Sequence, residues 1–288
     1  MRISAARGEA FAAACFLAPA LVAVIVLRIW PSLVAIRDAL DAGPAGWPSL
    51  ENFRFLFGDP EFLGALRTTL MFAIVVNPLQ IALALALAVL LNQSLPAVGV
   101  LRTLVLLPVV VPQSVSAVIW GVAMRPDGPL NAVLTAIGLP AQPFLTSPGE
   151  SLASIIVIVS WVGVGYWMTF LIAGLKDISP SLYEAAAIDG ARPWQRFWYI
   201  TLPQLRRPLT FVLVADTVAN FLVFAPVQIL TKGGPQGSTN LVMNEIFSRA
   251  FEAGDTSGAA AATTILVVVV VVVVSIQFRL MSGGDRAA

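Results

Sequence analysis

Glu184-Ala185-Ala186-Ala187-Ile188-Asp189-Gly190, nine further residues, and then Ile200-Thr201-Leu202-Pro203 form the stretch that decides how this chain is read. It is a charged, aromatic-rich hairpin between two long apolar segments. Two helix starts are available before it. Ser179 can cap with Pro180 at the first helical position, or Ser181 can pair with Glu184 in a capping box. Gly190 suits the left-handed residue that ends a short helix. Arg192-Pro193 restarts one, in which Trp194, Phe197 and Trp198 recur at helical spacing with Gln195, Arg196 and Tyr199 between them. That pattern fits a helix lying along a membrane surface. Leu202-Pro203 closes it, and Arg206-Arg207 mark the entrance to the next apolar segment. Alanines 185–187 leave a smooth surface that can enter a groove closely, so the hairpin is expected to be gripped by another protein.

The rest of the chain sets the solvent in which that hairpin sits. Of 288 residues, 58% are hydrophobic and only 11% charged, against about a quarter charged in a soluble domain. Mean hydropathy is +0.87. An integral membrane protein in a lipid bilayer follows. A net charge of +1 offers no broad basic surface for nucleic acid. Histidine is absent, which removes histidine metal sites, Ser-His-Asp catalysis and histidine pH switching together. The single cysteine, Cys15, cannot form an internal disulfide.

A helix crosses the hydrocarbon core with about 20 apolar residues. Six stretches qualify, at about 11–30, 69–91, 101–124, 152–175, 209–230 and 259–280. The expected fold is therefore an all-α membrane protein, one transmembrane domain over 1–288 with the hairpin loop at 176–208. Pro19, Pro78, Pro108 and Pro112 lie inside spans, where neighbouring helices can tolerate them. The eight valines Val267–Val274 would favour a strand in water, but in lipid a helix satisfies its own backbone. Charge sets direction. With the N-terminus in the cytoplasm, the inner side holds ten basic residues (Arg2, Arg7, Arg102, Lys176, Arg192, Arg196, Arg206, Arg207, Arg279, Arg286). The outer side holds six (Arg37, Arg54, Arg67, Arg125, Lys232, Arg249). Both termini and the 176–208 loop are thus expected in the cytoplasm. A cleaved signal peptide at 11–30 fits less well, because Ala18-Pro19-Ala20 lies mid-run and removal would leave five spans.

With its EAA, Gly and I-x-L-P positions all occupied, the hairpin resembles the cytoplasmic EAA loop of ABC importer permeases. An ordinary amphipathic connector need not reproduce those spacings. Leu230-Thr231-Lys232-Gly233-Gly234-Pro235-Gln236-Gly237-Ser238-Thr239 is similar to the L-T-x-G-G-P-x-x-S-T segment of the MalF-like carbohydrate permeases. So are Phe247, Ala250-Phe251, Gly254 and Ala259–Ala262, with Phe247 where tyrosine is usual, and Glu51-Asn52-Phe53 in the first outer loop. The resemblance implies the type I importer permease fold in a bacterial inner membrane. It implies coupling through Glu184, Ala185, Ala186, Asp189, Gly190, Ile200, Leu202 and Pro203 to a dimer of ABC ATPase subunits, which use ATP and Mg; this chain is expected to bind neither. Two ATPase clefts and one such loop require a second permease subunit, a MalG-like chain or an identical copy. An extracytoplasmic solute-binding protein would dock near Gly233, Gly234 and Pro235. Sugar is the implied cargo, with glycerol phosphate or another polyol the alternative within the branch.

Polar side chains inside spans are costly and tend to face a cavity or a partner. Asp216 and Asn220 lie one turn apart on one helix face. Gln113, Ser116 and Trp120 share another face, and Asn77 and Gln80 lie on the second span. With Phe224, Trp161 and Tyr166 as rings, this set has the amides, carboxylate and aromatics a carbohydrate passage requires. Asn77 before Pro78 and Gln113 after Pro112 can equally serve backbone freed by a kink. A membrane enzyme or a passive channel are the competing classes. The first lacks an evident catalytic cluster, and the second leaves the hairpin without a purpose.

Overall fold

All regular structure among the described residues is helical; the computed structural model describes residues 15–41, 46–93 and 96–282. Arg2, Arg7 and Arg286, counted above for direction, lie outside them, as do residues 11–14 of the first expected span. Helix α1 (Cys15–Ala39) runs on past the expected end at 30 and buries none of its apolar window. Its turn Ile25–Ile29 widens to i→i+5 bonding, just before Pro31, whose ring would collide with the Leu27 carbonyl in a regular helix. Helix α2 (Glu51–Gly58) follows.

Helix α3 (Pro60–Leu91) carries Pro78 internally without a break. The segment expected as one span at 101–124 is two helices, α4 (Val98–Val110) and α5 (Gln113–Ala123), bent by 100°. The cause is local. Proline disfavours helical backbone in the residue before it, and Val111, preceding Pro112, is extended at φ −80°, ψ 124°. Then come α6 (Pro129–Ala136) and α7 (Ser151–Lys176). The hairpin consists of α8 (Pro180–Ile188) and α9 (193–204). Beyond it lie α10 (Arg206–Phe221), α11 (Ala225–Leu230), α12 (Val242–Phe247) and α13 (Thr256–Ser282). Together α10 and α11 make one apolar stretch, Arg206–Leu230.

Contacts divide the described residues into two compact units. The smaller comprises those of Met1–Asp59 with Ile246–Leu266. Arg249 organises it, forming an ion pair with Asp59, lying 3.5 Å from Asp255 and standing over the Phe55 ring. The larger comprises Pro60–Glu245 with the described part of Val267–Ala288. There α3 packs along α7, α4 and α10 pack on α7, α10 packs on α3, and α11 packs on α5. Its main core gathers Ala84, Ala88, Trp167, Met168, Leu171, Leu205 and Val212. In lipid, helices gain from close packing rather than from escape out of water, which is why small residues matter here. A Cβ on Gly165 would stand 2.3 Å from the Val105 carbonyl oxygen on α4. Gly165→Ala is therefore expected to separate α4 from α7 and destabilise the fold by about 1–3 kcal/mol, read as a lower thermal denaturation midpoint in detergent. An unchanged midpoint would refute this account of the α4–α7 contact.

Candidate functional site

The hairpin at 176–208 is built by local rules. Ser179 takes the N-cap position of α8 with Pro180 first in the helix; its hydroxyl lies 2.8 Å from Ser181 Oγ and makes no bond to the helix backbone. At the far end Gly190 adopts φ +75°. The Ala191 N–H donates to the Ala186 carbonyl at 2.8 Å and the Gly190 N–H to that of Ala187 at 3.1 Å. This is the double closure of a Schellman turn, which needs a left-handed residue where Gly190 stands. Pro193 opens α9, and Gln195 Oε1 accepts the Arg192 N–H at 2.7 Å. The arms are joined where Tyr183 Oη meets Thr201 Oγ1 at 2.9 Å.

The motif residues divide by exposure. Ile200 and Leu202 pack with Tyr183 against the main core, and Pro203 is exposed at the end of α9. Glu184, Ala185, Asp189 and Gly190 are exposed, Ala186 is half-buried, and α8 contains no buried residue. Ile188 at the tip is 88% exposed. One set of positions fixes the hairpin to the membrane helices; the other presents a short alanine-lined helix with an apolar tip.

The segment after α11 is a pinned loop. Gly233 is buried with φ +83°, and Lys232 before it has φ +49°. The Thr239 hydroxyl is 2.7 Å from the Gly234 carbonyl and 2.7 Å from Thr231 Oγ1. Ser238 Oγ reaches Ser151 Oγ, at the start of α7, at 2.8 Å. Gly234 and Pro235 are half-buried.

Four of the expected passage residues converge. Asn220 Nδ2 lies 2.7 Å from Asn77 Oδ1, 3.1 Å from Asp216 Oδ1 and 3.3 Å from Gln80 Oε1. Asn77 Nδ2 donates to Thr217 Oγ1 at 3.0 Å, so its amide bridges helices instead of serving the Pro78 backbone. Sequence reasoning missed the other members. Trp167 Nε1 donates to Asp216 Oδ1 at 2.5 Å, Gln80 Nε2 to Ser160 Oγ at 3.3 Å, and Gln277 Nε2 to Thr217 Oγ1 at 2.9 Å. Gln277 could have been found, as an amide near the end of the valine-rich span. Trp167 and Ser160 carry no such sign in an apolar helix. The network is buried apart from the half-buried Gln277, and Asp216 Oδ2 has no hydrogen-bond partner among the described residues.

Gln113, Ser116, Trp120 and Phe224 stand elsewhere. Gln113 is exposed at the start of α5, and Phe224 caps α11. Ser116 Oγ and Trp120 Nε1 are buried without a partner among the described residues. Trp120 meets Trp161 edge-on at 5.6 Å, and both line a cavity of about 460 Å³ that also takes in Ser160. A second cavity of about 370 Å³ is lined by Asn77 and Gln277. The hydrogen-bonded network thus borders two cavities.

Residues 80–283 match the family described as binding-protein-dependent transport system inner membrane component. The lactose transport system permease protein LacF of Rhizobium radiobacter is 33% identical over 82% of each chain. An sn-glycerol-3-phosphate transport system permease protein, UgpA of Pectobacterium atrosepticum, is 32% identical over 91% of each. Among solved structures, the bacterial alginate ABC transporter in complex with an alginate pentasaccharide-bound periplasmic protein matches with a TM-score of 0.88 over 98% of both chains, at 22% identity. The fold is that of an ABC importer permease.

Proposed function

We propose, because this chain belongs to the binding-protein-dependent transport system inner membrane component family, that it passes a neutral carbohydrate inward through a pathway beside the Asn77–Gln80–Asp216–Asn220 network. It is a permease subunit of an ABC importer and not an enzyme. ATP and Mg are used by separate ATPase subunits, and the chain pairs with a second permease. Its termini and hairpin face the cytoplasm, and a solute-binding protein docks at the outer loop containing Gly233-Gly234-Pro235. The observation that carries the coupling role is the exposed α8, fixed by Ile200 and Leu202 and ending on the bare Ile188. Such a helix suits a cleft in an ATPase, whose closure would move the hairpin and, through the core beneath it, the spans.

The cargo reading rests on chemistry. Amides and a carboxylate recognise hydroxyl groups, and Trp120 with Trp161 offers faces for sugar rings. The described network contains no cation to hold a phosphate; Arg28 and Lys232 are exposed elsewhere. The test begins with the cognate binding protein, screened for thermal stabilisation by sugars and polyol phosphates. The reconstituted importer is then assayed for ATP-dependent uptake of each hit. Accumulation of a neutral oligosaccharide supports the reading. Exclusive uptake of a glycerol phosphate would overturn the cargo and leave the importer assignment standing.

A further inference from the structure

We infer that the base of the hairpin is a binding site for an anionic phospholipid with a hydroxyl-bearing headgroup, of the phosphatidylglycerol class. Two neighbouring cavities share Arg206 and Arg207 in their linings. One, of about 440 Å³, is an apolar groove between α10 and the end of α13, walled by Phe211, Val214, Phe278 and Met281. The other, of about 620 Å³, lies toward the hairpin and is lined by Asp177 and Gln204. An apolar trough and a polar bowl that share Arg206 and Arg207 in their linings have the division of a phospholipid: acyl chain, phosphodiester, headgroup. Basic pockets between spans are suited to such lipids.

Charge complementarity selects the occupant. The Arg206 guanidinium matches one phosphodiester, and Arg207 adds positive charge to the same linings. Asp177 would repel a second anionic group, which disfavours phosphatidic acid and serine headgroups. Its carboxylate can instead accept hydrogen bonds from headgroup hydroxyls, as can the Gln204 carbonyl. The site lies where α7 ends and α10 begins, the two helices that carry the hairpin. A bound lipid there would brace the hairpin against the membrane helices. The inference takes from the proposed function only the bilayer placement of the chain and is independent of the cargo.

Native mass spectrometry of the full purified chain, from micelles doped equally with phosphatidylglycerol and phosphatidylcholine, tests it. One phosphatidylglycerol is expected to be retained, in roughly tenfold preference over phosphatidylcholine. Arg206→Gln/Arg207→Gln should abolish the preference, and Arg206→Lys/Arg207→Lys should keep much of it. Val214→Trp, which fills the groove while leaving both arginines, should also abolish retention. Deacylated headgroup or inorganic phosphate in excess should fail to displace the lipid. Equal retention of both lipids, an unchanged preference in the glutamine variant, or normal retention in Val214→Trp would each overturn the site. Displacement by inorganic phosphate would show a phosphate site instead and overturn the lipid assignment. Circular dichroism of each variant confirms that the comparison is made on folded protein.

Discussion

Uptake is expected to fall at least about 100-fold, equivalent to roughly 2.7 kcal/mol, when Gly190 is replaced by proline, with insertion and expression unchanged. Proline is locked near φ −65°, whereas position 190 sits at +75°. Gly190→Pro also removes the N–H that donates to the Ala187 carbonyl. The Schellman closure fails, and α9 leaves α8 in another direction. The turn itself is exposed and α8 has no buried residue, so the spans can still insert; the contacts at stake are those of Tyr183, Ile200 and Leu202 on the core. Gly190→Ala keeps the N–H and strains the left-handed backbone by about 1–2 kcal/mol, so a smaller loss is expected. Glu184→Arg reverses charge at an exposed position and should likewise abolish uptake with the fold intact. ATP-driven transport by reconstituted importer is the measurement. Full activity in both Gly190→Pro and Glu184→Arg would remove the hairpin from the mechanism.

The second large effect is on the buried network. Asn220→Leu removes the amide that stands within hydrogen-bonding distance of oxygens on Asn77, Gln80 and Asp216. Those acceptors are buried. A buried acceptor left without a donor costs about 1–3 kcal/mol, and bonds between membrane helices are individually modest. The combined loss is therefore set at about 3 kcal/mol of stability, measured by thermal denaturation in detergent. Asp216→Asn is the contrasting variant. Its amide oxygen can still accept from Trp167 and Asn220, so stability should stay within about 1 kcal/mol of the parent. If Asp216 also serves the passage, Asp216→Asn lowers uptake while the denaturation midpoint holds. Unchanged uptake in that variant would reduce Asp216 to a packing role. An unchanged midpoint in Asn220→Leu would dissolve the network as a stabilising unit.

Much of this could be read without coordinates, because lipid simplifies the problem. A span must satisfy its own backbone, so long apolar runs read directly as helices. The hairpin was legible for a different reason: Ser179-Pro180, Gly190 and Arg192-Pro193 act through local backbone rules, and φ at Gly190 follows from its immediate neighbours. The third span was read less well. Pro108 and Pro112 both lie within it, yet the helix contains one and breaks at the other, and local rules do not rank two prolines four residues apart. The polar residues were visible one at a time as costly members of apolar helices. Their partners were not, since Trp167 and Ser160 on α7 become meaningful only when α3 and α10 lie against that helix.

The sequence by itself therefore determined the solvent, through composition, the helical character of the spans, through long apolar runs, and the turn of the hairpin, through residues within about one helical turn of Gly190. Tertiary structure decided which polar side chains share a network and that Gln113 and Phe224 stand outside it. It also decided which hairpin positions are anchors and which are bare. Those outcomes depend on helix pairs separated by up to 143 positions, whose packing is set by shape at contacts such as Gly165 against Val105.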